Sequence, residues 1–191
     1  MGAESAKPSQ SERSGRQRAR RHVQRFAVVG ALFAVSALAS HAAMASSPRT
    51  FHTTFQESEQ FLDEGATQVC GFPVTLAIDA RVVQDFLFDA SGNFVHAVIS
   101  SIGTATESAN GITLTGQIAD NLIFFDKTQQ LYEVGLVDVL KLPGGGVVSI
   151  DVGRIVWSFD AFFGGGDPTF VAGPHQTLEG DFAALCAVLT P

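Results

Sequence analysis

The sequence predicts an all-β protein, an antiparallel up-and-down β-barrel of about eight strands with a short C-terminal helix. Three observations carry that expectation. Five long stretches between Val74 and Asp160 alternate apolar and polar residues with the period of a strand. Turn signals separate them, Asn110-Gly111 foremost. Cys70 and Cys186 bracket the patterned region, and an even pair in an exported protein is expected to form a disulfide. A β-sandwich is the alternative, and it favours shorter strands and longer crossovers.

Residues 1–45 read as a secretory signal peptide. A basic stretch from Arg13 to Arg25 precedes the apolar run Phe26–Ala39, and Ala43-Met44-Ala45 supplies a small-x-small cleavage site near Ala45. The apolar run is shorter than the roughly 20 residues a membrane-spanning helix needs. A secreted protein with no stable membrane insertion after cleavage is therefore expected. Seven of the 12 Lys and Arg and two of the 19 Asp and Glu lie in this segment. The remainder carries five basic and 17 acidic residues, 5 − 17 = −12. Such a charge disfavours nucleic acid and anionic lipid as partners.

Residues 46–68 form an N-terminal extension of mixed pattern. Phe51, Thr53 and Phe55 alternate like a short strand, whereas Phe55, Glu59 and Leu62 would suit a helical turn. Residues 69–191 are expected to be the barrel domain, tied from start to end by a Cys70–Cys186 disulfide.

From Val74 to Phe88 the residues Val74, Leu76, Ile78, Ala80, Val82, Phe86 and Phe88 share one face, with Gln84 the polar exception. After the turn at 89–93, Val95, Ala97, Ile99, Ala105 and Ala109 face inward together with Glu107, leaving Phe94 and His96 outside. Across Asn110-Gly111, Ile112, Leu114, Gly116 and Ile118 continue the inner face, followed by Asp120, Leu122 and Phe124. That pairing sets Glu107 opposite Leu114.

The central hairpin spans Leu131–Asp160 around Pro143-Gly144-Gly145-Gly146. Tyr132, Val134, Leu136, Leu140 and Leu142 share the parity read as inner, although Leu131, Val137 and Val139 blur it. The register aligning the apolar faces pairs Leu142 with Val148 and Leu140 with Ile150. A phase change after Gly153-Arg154 suggests a β-bulge there; before Arg154 it turns that residue outward, and after it keeps it on the inner face. Beyond it, Ala161–Pro168 reads as a glycine-rich loop with Phe162 and Phe163, and residues 169–172 as a closing strand. Phe182, Leu185, Cys186 and Leu189 have helical spacing, with Asp181 placed to cap.

No nucleophile elbow, zinc-protease motif, P-loop or dinucleotide fingerprint occurs, and no metal or cofactor is expected. His96 and His175 lack ligands at useful spacing, and His175 is expected in a surface loop. The informative residues are polar ones with inner parity. Gln84, Asp120, Tyr132, Asp138 and Arg154, together with Trp157, are the candidate ligand-binding set, forming the polar end of an apolar pocket. Asp120 is expected opposite Leu136, and Arg154 diagonal to Asp138. Glu107, Asp138 and Arg154 are the candidate catalytic groups, because burial would raise the Glu107 pKa and suit it to accept a proton. The competing expectation places Glu107 near a strand end, within reach of water.

Cys70-Gly71-Phe72-Pro73-Val74, Gly173-Pro174-His175, Glu179-Gly180-Asp181 and Leu185-Cys186-Ala187 resemble a group of uncharacterised secreted proteins of actinobacteria. That resemblance implies export but no activity. The meander is similar to lipocalin-like barrels and to those of allene oxide cyclase and dirigent proteins, at the level of fold only. The leading functional expectation is a secreted barrel that binds a small, largely apolar molecule inside. A barrel-type isomerase or cyclase and a solid-cored structural envelope protein are the alternatives.

Overall fold

The computed structural model of the chain describes residues 47–191; the expected signal peptide and its cleavage near Ala45 lie outside the described residues. The described chain is dominated by one antiparallel sheet of seven strands in sequential order. These are β1 (Arg49–Leu62), β2 (Thr75–Phe88), β3 (Phe94–Ala109), β4 (Ile112–Phe125), β5 (Gln130–Lys141), β6 (Val147–Ser158) and β7 (Phe170–Ala172). The legible alternation of residues 74–124 becomes β2, β3 and β4. The mixed-pattern segment becomes β1, paired with β2 over its whole length. No ladder joins β1 to β7 among the described residues, so the sheet is not closed by hydrogen bonds.

Short helices cover the ends of one face. Helix α1 (Glu64–Cys70) is capped by Asp63, whose side chain accepts from the Ala66 amide, and ends at Gly71 in the left-handed conformation. Helix α2 (Phe159–Gly164) starts at the Ser158 cap and replaces the expected loop. Helix α3 (Gln176–Glu179) packs on β6, and α4 (Ala183–Leu189) closes the chain. Asp181 accepts from the Ala183 amide, so the expected C-terminal helix and the residue at its start are both present. A disulfide joins Cys70 at the end of α1 to Cys186 in α4.

The buried residues form two clusters on that face. One gathers Ala66, Val74, Leu114, Leu140, Val148, Leu185 and Leu189 beneath α1 and α4. The other gathers Val82, Ile99, Leu122, Phe124, Leu131, Ile155, Trp157 and Phe162 beneath α2. Ala80 and Gln84 of β2 are buried although the helices pack mainly on β4 to β6, so this face is concave. The apolar alternation of β2 to β4 thus does what period-two patterning requires, burying one side and wetting the other.

The central hairpin departs from its expected register. Val137 is the extra residue against both neighbours, because the ladders shift between Leu136 and Asp138 on the β6 side and between Gln117 and Ala119 on the β4 side. That bulge inverts the first half of β5. Leu131, Glu133 and Gly135 take the concave face; Tyr132, Val134 and Leu136 take the convex one, contrary to expectation. On β6 the parity from Ser149 to Trp157 is unbroken, so there is no bulge at Gly153-Arg154. Leu140 faces Ser149, not Ile150, and the phase change falls at Val148, beside the glycine turn. A further slip between Leu87 and Phe88 turns Phe94 inward, against the aromatic cluster, and leaves Val95 exposed.

Candidate functional site

The registers lay out the concave face in rows. One row runs Thr53, Gln84, Ile99, Leu122, Glu133, Ile155 across β1 to β6. The next runs Phe55, Val82, Ser101, Asp120, Gly135, Gly153. A third begins Glu57, Ala80, Gly103, Ile118 and reaches the bulge at Asp138. The two apolar clusters therefore flank a middle band of small and polar side chains.

Gln84 occupies the concave face of β2 at 1% exposure, and its Oε1 accepts no hydrogen bond from the described residues. Leaving such a buried acceptor unmet costs about 1–3 kcal/mol. Its neighbours on this face are Val82 and Phe86 on the strand, Ile99 opposite on β3 and Thr53 opposite on β1. Asp138 is 2% exposed, and its carboxylate lies over Gly116, where a methyl group would meet Oδ1 at 2.7 Å. Gly116 is thus the position at which β4 makes room for that carboxylate. Glu107 is fully buried between Leu76 and Leu114, so water does not reach it as the competing expectation held. Asp120 is half-buried and lies between Ser101 and Gly135, not opposite Leu136.

Two expected members are elsewhere. Tyr132 is on the convex face, its hydroxyl donating to Gln130 Oε1 at 2.8 Å and its ring edge-on to Phe125. Arg154 is exposed on the same face, with its guanidinium carbon 4.6 Å from the Phe170 ring centroid. The β5 bulge moved the first, and the unbroken parity of β6 moved the second. The expected grouping of Asp120, Asp138 and Arg154 is therefore not formed. Trp157 does face inward, buried against Phe162 with ring centroids 5.5 Å apart, which makes it a wall of the core. Phe162 is buried and Phe163 exposed.

Sequence reasoning missed Glu133 and Asp151, both buried. The blurred parity around Leu131 and Val137 was the available signal for Glu133. Asp151 lies opposite Asp138, and its carboxylate accepts from both the amide and the hydroxyl of Thr177, satisfying the start of α3. His175 is buried, not in a surface loop, with Nε2 3.3 Å from the Ala172 carbonyl. Every Lys and Arg among the described residues is exposed, and of these Arg49, at the start of the edge strand β1, has concave parity. No trio of His, Cys, Asp or Glu among the described residues has metal-binding geometry.

A second concavity lies on the convex side, at the bulge. This open cleft of about 440 Å³ is lined by Thr104, Thr115, Gly116, Gln117, Leu136, Val139 and Lys141, and includes none of the residues expected from sequence. In comparison with known proteins, the chain matches no family model, no curated protein and no solved structure.

Proposed function

We propose that this chain is an exported carrier whose sheet wraps into an open barrel and holds a small, largely apolar molecule against its concave face. The single observation that carries the reading is Gln84, a buried acceptor whose Oε1 meets no donor among the described residues. A ligand carrying one N–H or O–H group would satisfy it while its apolar body lies along Val82, Phe86 and Ile99. Orienting an apolar ligand through a few fixed polar groups is the usual design of such pockets.

Two further features support the wrapped form. Gly135, Gly153 and Gly173 align across β5, β6 and the end of β7, all with positive φ, a device that bends long strands. Ala97, Ile99 and Ala105 of β3 are buried although the helices pack mainly on β4 to β6. Export is supported by the signal-like N-terminus and the disulfide. No helix among the described residues is long and apolar enough to cross a membrane.

Fluorescence titration with phenylnaphthylamine, an apolar probe with a single N–H donor, tests the reading. Saturable binding is expected, weakened about tenfold in Gln84→Leu because the probe's donor is then buried unmet. Absence of saturable binding to the unaltered protein, or equal binding by the variant, would refute it.

A further inference from the structure

Among the described residues, no strand pairs with the outer edge of β1. β1 is terminal in the strand order, and its ladder to β2 runs through 14 pairs without a register shift. β7, at the other end, has three residues and cannot cover it. Natural edge strands are short, bulged, covered, or guarded by Pro or by charged side chains, Lys above all. The β1 sequence RTFHTTFQESEQFL has neither Pro nor Lys, and its concave-parity charges are Arg49, Glu57 and Glu59. Its concave-face side chains Phe51, Phe55 and Phe61 extend the apolar surface outward, and Phe51 is 49% exposed.

We propose that β1 is a homodimer interface, at which a second copy of this chain adds its own β1 antiparallel across a two-fold axis near Phe55. Charge along the strand selects this occupant. The first half carries Arg49 and no acid, with His52 on the other face held by Asp85 of β2; the second carries Glu57 and Glu59 and no base. Antiparallel self-pairing lays the basic half of each copy on the acidic half of the other, and parallel pairing would set like on like. An axis through a residue pairs odd positions with odd, so the two concave faces become continuous. Arg49 of one copy then lies diagonal to Glu59 of the other, and the symmetry makes this contact twice.

Sedimentation equilibrium of the purified, oxidised protein tests the interface. A dimer is expected, weakening as salt is raised. Arg49→Glu places two like-charge contacts across the axis and should raise the dimer Kd at least about tenfold. Combining Arg49→Glu with Glu59→Arg exchanges the two charges and should recover most of that loss. Recovery in the double variant also shows that the single variant failed at the interface and not in folding. A protein that stays monomeric at all concentrations overturns the proposal. So does an Arg49→Glu dimer as tight as the original, or a double variant that recovers nothing.

Discussion

Gly135 of β5 lies directly opposite Gly153 of β6, with φ of +130° and +135°. A methyl group at Gly153 would stand 2.0 Å from the Ala172 carbonyl oxygen, and one at Gly135 would stand 2.4 Å from that of Ala119. These positions therefore need glycine for both backbone conformation and space, and they set the bend of the hairpin. Gly153→Ala should lower stability by about 3 kcal/mol or more, combining backbone strain with a clash. Gly146→Ala, where nothing lies within 4 Å, is the control and should change stability by less than about 0.5 kcal/mol. Urea denaturation of the two variants measures both values.

The disulfide ties α1 to α4, beneath which one of the two apolar clusters lies. Its cysteines are 116 residues apart, so the open chain gains much freedom when the bond is cut. Cys70→Ser with Cys186→Ser should cost about 4–5 kcal/mol in the chain-entropy account, read as a fall in denaturation midpoint.

Thr177 holds the buried carboxylate of Asp151 through its amide and its hydroxyl. Thr177→Val keeps the shape and removes the hydroxyl, so it should cost about 1–3 kcal/mol. Thr177→Ser keeps the donor and should recover most of that stability. Thermal denaturation of the two variants separates loss of the bond from loss of packing.

Partial burial raises the Glu57 carboxyl above its ordinary value of 4.5, and the neighbouring Glu59 charge raises it further. The folded chain thus binds this proton more tightly than the unfolded chain. Stability falls as pH rises from 4.5 through the raised value, and the penalty is constant above it. Glu57→Gln should therefore be more stable than the original at neutral pH, by less than about 1 kcal/mol because solvent screens this strand. The difference should vanish once both states are protonated. Denaturation midpoints across an acid-to-neutral series check the sign.

The sheet was legible where alternation ran unbroken. Val74–Phe88 and the Asn110-Gly111 hairpin take their expected faces, and Gln84 and Glu107 fall inside as their parity required. It became illegible where one residue was inserted. Val137 belongs to a bulge that no glycine marks, and with it Tyr132 and Glu133 exchanged faces. Gly153 looked like the bulge because glycine there follows from tight strand contact, a tertiary fact. Ser158 and the αL Gly165 supply helix caps around Phe159–Gly164, but Gly164-Gly165-Gly166 hid them behind the pattern of a loop. Arg154 faces inward only where the phase change follows it; the change falls earlier, at Val148, and Arg154 faces out.

The carrier reading stands on Gln84 and on a molecule that satisfies it. Native mass spectrometry of the protein purified without reductant, beside Gln84→Leu, tests this most directly. The predicted result is a defined mass excess on the original protein that denaturation removes, with the excess lost or sharply reduced in the variant. An original protein at its bare disulfide-bonded mass, or an equal excess on both proteins, would contradict it.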